Sequence, residues 1–289
     1  MDQVPSVLYK YVSMNQSYHW EMLILNYWYF SHKDQFNDPL DFNLRWTFEK
    51  KLYSKVIRNL LSCLDSKQKK IFRSLLSKAD MDPKPSFSDV VNFLKFHGFL
   101  SEKEMISKIK FLKGFFELYK RFVDNTGIYS MTDSCENPLM WAYYTNHSGI
   151  CIGYDMLRVV DYLKKDETQF TWAKTKSSDE APKPIVLIGQ EIEGGEINFS
   201  NYNGELADAL SVKDSVWEHE NEYRIINHSR SKYKEYLPKE VIKEVIFGLR
   251  VDIATRKAIK KLLGDKVAYK QTWFYTNQHK IFISEDKTP

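Results

Sequence analysis

The sequence predicts an α+β protein, a mixed or antiparallel sheet core with a helical insertion. Short aromatic and β-branched runs bounded by turn residues occur towards both ends of the chain, as in Leu8-Tyr9-Lys10-Tyr11-Val12 and Ile242 to Phe247. Between about Phe48 and Asp124, apolar residues recur at helical spacing instead. The alternation of the two patterns is too irregular for a doubly wound sheet. One domain over residues 1–289, with an insertion over 49–123, is the expected organisation.

Leu8 to Val12 is the first strand, and Ser13 and Asn15 are candidate caps for a helix reaching about Leu25. Tyr27 to Ser31 reads as a second strand, ended by the turn signal Asp34-Gln35-Phe36-Asn37-Asp38-Pro39. In the insertion, Leu52, Val56 and Leu60, then Ile71, Phe72, Leu75 and Leu76, mark helical stripes. Ser86 or Ser88 caps a helix bearing Val90, Val91, Phe93 and Leu94. Ser101 and Glu104 form a capping-box start to one long helix reaching Phe122, with Met105, Ile109, Leu112 and Phe116 as its stripe. The many lysines here are expected on a solvated face.

Strand character resumes at Gly127 to Met131, Pro138 opens a short helix, and Ile150 to Tyr154 is another strand. Residues 164–181 are polar and are expected to form a mobile excursion. Ile185 to Ile188 reads as a strand, Gly194-Gly195 as a turn, and Leu206 to Val212 as a short helix. The chain ends in strand Ile242 to Phe247, helix Ile253 to Leu263, and strands near Val267 to Tyr269 and Ile281 to Ser284.

Net charge is +4, from 42 basic and 38 acidic residues, which is far from the dense basic character of a dedicated duplex reader. The three cysteines are widely spaced, with no Cys-x-x-Cys pair, so neither a disulfide framework nor a zinc cage is expected. No apolar run is long enough to span a bilayer, and the N-terminus lacks a signal-peptide pattern, so a cytoplasmic chain with no membrane partner is expected. P-loop and Gly-x-Gly-x-x-Gly motifs are absent.

The most chemically loaded stretch is Trp217-Glu218-His219-Glu220-Asn221-Glu222-Tyr223-Arg224. As a strand it would carry Glu218, Glu220 and Glu222 on one face; as a helix only Glu218 and Glu222 would share a face. Like charges so close repel unless a cation, a proton or a substrate hydroxyl relieves them. One reading makes Glu220 or Glu222 a catalytic carboxylate; the other pairs Arg224 with an acid, buries Trp217 and leaves the rest solvated. Tyr9-Lys10-Tyr11 suits a ligand with phosphates and a flat base, or equally an amphipathic strand with a snorkelling lysine. Asn37 and Asp38 suit a ligand or a local Asx turn. Trp141, Tyr144 and His147 can line one side of a helix as a stacking wall, or dock that helix on a sheet.

These stretches, in order, resemble one bacterial family. Leu8-Tyr9-Lys10-Tyr11, Tyr29-Phe30-Ser31 with Phe36-Asn37-Asp38-Pro39, Leu139-Met140-Trp141-Ala142-Tyr143-Tyr144 leading to His147-Ser148-Gly149-Ile150-Cys151-Ile152, Trp217-x-x-Glu220-x-Glu222-Tyr223-Arg224, and Val245 to Arg250 carry the resemblance. The family is that catalogued as domain of unknown function 2971. Tyr129 departs from it where a phenylalanine is usual. The resemblance implies an effector of bacterial defence or toxin loci, with a cognate antitoxin or defence-system protein as a possible partner.

The layout also resembles ADP-ribosyltransferases in outline. That likeness implies NAD as substrate. Tyr9, Lys10 or Tyr11 would then hold the phosphate or ribose side, Ser31 the nicotinamide ribose, and Glu220 or Glu222 would be catalytic. Two rival functions stay open: a binding module for nucleic acid or protein, and a magnesium nuclease using Asp38, Glu220 and Glu222.

Overall fold

The computed structural model describes residues 4–38, 40–76, 85–164, 170–187, 202–274 and 280–288. The chain opens with β1 (Val7–Val12), α1 (Ser17–Leu25), β2 (Tyr27–Phe30), β3 (Trp46–Phe48), α2 (Lys50–Ser62), α3 (Ser66–Leu76), α4 (Phe87–Phe96), α5 (Glu102–Lys108) and α6 (Phe111–Asn125). There follow β4 (Gly127–Thr132), α7 (Pro138–Thr145), β5 (Ile150–Asp155), α8 (Met156–Leu163), β6 (Phe170–Lys174), β7 (Lys176–Ser177), β8 (Ile185–Leu187) and α9 (Asn203–Leu210). The last elements are β9 (Val212–Lys213), β10 (Glu222–Asn227), β11 (Tyr233–Tyr236), β12 (Ile242–Phe247), α10 (Ile253–Leu263), β13 (Ala268–Phe274) and β14 (Ile281–Glu285). The predicted α+β class holds.

Two compact units emerge. One comprises residues 1–37, 126–179 and 213–289, the other 38–125 and 180–212. The first is built on an eight-stranded sheet in the order β14-β13-β12-β5-β1-β4-β10-β6. Its pairings are antiparallel except β12 with β13, which run parallel. Parallel neighbours need a crossover, and α10 supplies it.

Alternation along the strands sorts the side chains onto two faces. Leu8, Val12, Tyr129, Ile152 and Ile225 join the larger core, where Trp28 stacks on Tyr129 at 4.5 Å between ring centroids. Tyr11, Trp141, Cys151 and Ile246 form a smaller cluster on the other side. The β5 entrance is tight. Gly248 N–H donates to Gly149 O, and a Cβ on Gly248 would lie 2.5 Å from His147 O and 2.9 Å from Gly149 O. Backbone cannot retreat as a side chain can, so Gly248→Ala is expected to cost about 2–3 kcal/mol in chemical unfolding, near the top of the usual overpacking range.

The second unit packs α2 and α4–α6 around the parallel pair β3–β8, with Phe48 against Phe87 (4.6 Å) and Phe115 (5.6 Å). Residues 49–123 lie in it. Arg45 bridges Asp89 at 2.6 Å, and Asp89 completes the capping box with Ser86.

Several expectations change. Gln16 rather than Ser13 or Asn15 precedes α1, without a side-chain cap. Ser101 and Glu104 do form a capping box, but the single long helix breaks after Lys108 because Ile109 adopts extended backbone. Residues 170–174 are strand β6 on the sheet edge, not a mobile excursion. Phe170 and Trp172 alternate onto the larger core, which holds the strand down. Tyr27–Phe30 pairs with β11 in a separate two-stranded sheet. The predicted turn at Gly194-Gly195, with Pro39 and Ile188, lies outside the described residues.

Candidate active site

The acidic stretch is neither a strand ladder nor an α-helix. Asp214 caps a 3-10 turn over Ser215–Glu220 by accepting from Val216 N–H. Asn221 then takes a left-handed conformation (φ 43°), and Glu222 begins β10. Asn tolerates that region better than most residues. The reversal leaves Glu218 exposed while Glu220 and Glu222 are 3% and 4% exposed.

Both buried carboxylates converge on Lys213. Its ammonium donates to Glu220 Oε2 at 2.5 Å and Glu222 Oε2 at 2.7 Å. Glu222 also accepts from Arg224 Nε at 3.0 Å and Nη2 at 3.1 Å. Residues two apart on a strand share a face, so Glu222 and Arg224 are neighbours by construction. Arg224 is 1% exposed. From α7, the Tyr144 hydroxyl donates to Glu220 Oε1 at 2.6 Å. Asn137 fixes that helix twice: its Oδ1 caps α7 at Leu139 N–H, and its Nδ2 donates to His219 O. Thr175 holds the Glu222 carbonyl through both its N–H and its hydroxyl.

The electrostatics follow from this pairing of carboxylates with cations. Burial raises the Glu222 pKa, but Arg224 and Lys213 outweigh it and hold the carboxyl at about 2. Burial lowers the Lys213 pKa, yet Glu222 and Glu220 more than offset it and the net shift is upward. Tyr144 is pushed up by burial and then by the Glu220 charge. Asn137 and Lys213 were not singled out in the sequence. Lys213 is separated from its partners by seven and nine residues, and only the 3-10 turn brings it back.

The first-strand candidates divide. Lys10 is paired with Ile152 on the face of the larger core; its ammonium donates to Ser130 O at 2.7 Å and lies 4.7 Å from the Tyr129 ring centroid. Burial lowers its pKa to about 8 despite the opposing fields of Glu222 and Glu220. Tyr9 shares the register partner Thr132 with Glu222, but its hydroxyl donates to Glu244 Oε1 at 2.7 Å, and Glu244 bridges Lys270 at 2.5 Å. The Tyr11 hydroxyl donates to Ser134 O.

Ser31 bridges Ile128 through the backbone. Asn37 lies near the Tyr144 hydroxyl, where it opposes the rise in that group's pKa. Asp38 belongs to the second unit and accepts from Leu40 N–H, the local Asx geometry. Trp141 is fully buried, so its ring packs the core rather than facing solvent. His147 sits at the β5 entrance, where its carbonyl accepts from Arg250 N–H, and it does not join the acids.

Around the acids lies an aromatic rim. Tyr143 is 70% exposed, 6.4 Å from the His219 ring, and Trp217 is 6.2 Å from the same ring. Lys213 lies 5.4 Å from the Trp217 centroid. Among the described residues no group of three or more His, Cys, Asp or Glu is placed to hold a metal ion, and no helix is long and apolar enough to cross a membrane.

No curated protein and no solved structure matches the chain. Residues 140–225 match the model of the family described as Protein of unknown function (DUF2971), a segment containing Tyr144, Lys213, Glu220, Glu222 and Arg224, and this match supports the family resemblance read from the sequence.

Proposed function

We propose that the protein consumes NAD, with Glu220 as the reacting carboxylate, in the manner of an ADP-ribosyltransferase or NAD glycohydrolase. The observation that carries this reading is the unequal footing of the two buried acids. Glu222 is held by two cations, Arg224 at both oxygens and Lys213 at Oε2, which makes it a positioning group. Glu220 is held by Lys213 and by a tyrosine hydroxyl, next to the aromatic rim. A flat nicotinamide ring suits the faces of Tyr143 and Trp217. A substrate diphosphate competes for Lys213, which frees one oxygen of Glu220 to face the ribose.

Cleavage of the nicotinamide–ribose bond sends its electron pair out with neutral nicotinamide and leaves positive charge on the sugar. A fixed carboxylate stabilises that charge without the reorganisation water requires. Water or a target side chain then bonds to the sugar carbon and loses a proton. The effector role follows from the same activity, since NAD loss halts growth of the expressing cell and a neutralising partner protein would be needed to prevent it.

The test is nicotinamide release from NAD by the purified protein. Glu220→Gln should lower turnover roughly a hundred- to thousand-fold, the equivalent of about 3–4 kcal/mol of barrier. Absence of nicotinamide release by the wild type, or equal release by Glu220→Gln, would contradict the proposal.

A further inference from the structure

We infer that the outward faces of α2 and α3 form a binding surface for a nucleic-acid backbone, separate from the acidic site. The signal is unmixed charge. Residues 50–76 hold eight Lys or Arg and a single acid, Asp65, whereas the whole chain holds 42 basic and 38 acidic residues, so everything outside this stretch is net negative. Asp65 is occupied, since its Oδ1 accepts from Gln68 N–H at the start of α3.

Most of these cations point away from the packed side of the helices. The apolar side of α2 is buried through Leu52, Val56 and Leu60, and that of α3 through Phe72, while Lys51, Arg58, Lys67, Lys70 and Arg73 are exposed. Like charges three or four residues apart on a helix repel, as Lys67, Lys70 and Arg73 must. Glu49 and Asp65 stand at the two N-terminal boundaries, but neither helix has an acid within its first turn, and α2 opens with Lys50 and Lys51. The neighbouring helices are ordinary by comparison: α4 and α5 open with capping boxes and Asp89, Glu102 and Glu104 in their first turns. An ordinary solvated face intersperses both signs.

A polyanion relieves this repulsion, and the chemistry of the faces selects its kind. Protein interfaces centre on apolar and aromatic anchors, and membrane-surface helices carry apolar side chains towards the lipid. The exposed positions of α2, and those described on α3, are Lys, Arg, Ser or Asn, with no such anchor. Repeated point charges without an apolar centre match repeated phosphates, read without sequence preference.

The experiment is fluorescence anisotropy of the full-length protein with a labelled mixed-sequence DNA duplex and a single-stranded RNA, between about 50 and 200 mM salt. If about five phosphates are neutralised, affinity should fall on the order of a hundred- to thousand-fold across that range. The triple variant Lys51→Gln, Lys67→Gln, Lys70→Gln should weaken binding at low salt at least about tenfold and reduce the salt slope by roughly two to three. The control triple Lys257→Gln, Lys261→Gln, Lys266→Gln removes the same charge from exposed positions on or just after α10. It should bind within about twofold of wild type. Failure to bind both probes at low salt, or equal weakening by the two triples, would overturn the inference. Neither outcome depends on Glu220, so it stands or falls apart from NAD turnover.

Discussion

Lys213→Met is expected to destabilise the protein by about 3–5 kcal/mol, because it removes the ammonium that hydrogen-bonds both buried carboxylates. Methionine keeps most of the side-chain volume, so the loss reports charge rather than a cavity. For a unit of this size the midpoint of thermal unfolding should drop by roughly 10 °C. The sign of the pH dependence follows from Glu222, whose folded pKa of about 2 is below its unfolded value. Its contribution is therefore complete above the ordinary carboxylate range and is lost as pH falls through about 4 towards 2. Without Lys213, Glu222 takes up a proton more readily. The gap between wild type and Lys213→Met should be widest near neutral pH and narrow towards about pH 4, as read by calorimetry across that range. A gap independent of pH would mean that Lys213 contributes through packing alone.

Trp141→Ala is expected to cost about 3–5 kcal/mol, the range for emptying a fully buried large aromatic site. Trp141 meets Tyr11 edge-on at 5.0 Å and donates from its indole nitrogen to Cys135 O at 2.9 Å, which clamps α7 against β1. Its own carbonyl accepts from Thr145 Oγ1 and from His147 N–H, closing the end of the same helix. Loosening α7 displaces Tyr144 from Glu220, so nicotinamide release should fall along with stability. Trp141→Phe keeps most of the apolar burial and loses the indole hydrogen bond, and should cost only about 1–2 kcal/mol in chemical unfolding. If the alanine variant unfolds like wild type, α7 is held by something other than this ring.

Local devices were the legible part of the sequence. The box between Ser101 and Glu104 and proline at the start of α7 act within a few residues, and the pattern announces them. The strand–helix–strand ending is also legible, because Val245 to Phe247 and the stripe through Ile259 change period cleanly. The break after Lys108 was hidden because Met105, Ile109, Leu112 and Phe116 keep helical spacing across it. Strand β6 was hidden by the Thr, Ala and Lys around Phe170 and Trp172, so its alternation passed for a polar loop.

At the site, the sequence left open whether the glutamates are buried or solvated, and their geometry was not readable. A left-handed Asn221 turned an apparent ladder into a pair aimed back at Lys213. Tyr9 was offered for the NAD site by its place beside Lys10 and by the resemblance to ADP-ribosyltransferases, but its hydroxyl is bound to Glu244, a partner 235 residues away.

The central claim is that two adjacent buried acids have different jobs, Glu222 holding the network and Glu220 meeting the substrate. Thermal unfolding and nicotinamide release measured side by side on Glu220→Gln and Glu222→Gln test it directly. The account predicts a Glu220→Gln protein that unfolds within a few degrees of wild type and has lost activity. It also predicts a Glu222→Gln protein destabilised by about 3–5 kcal/mol, because the buried contacts to Arg224 and Lys213 lose their negative partner. Equal destabilisation by the two substitutions, or full activity in Glu220→Gln, would contradict it.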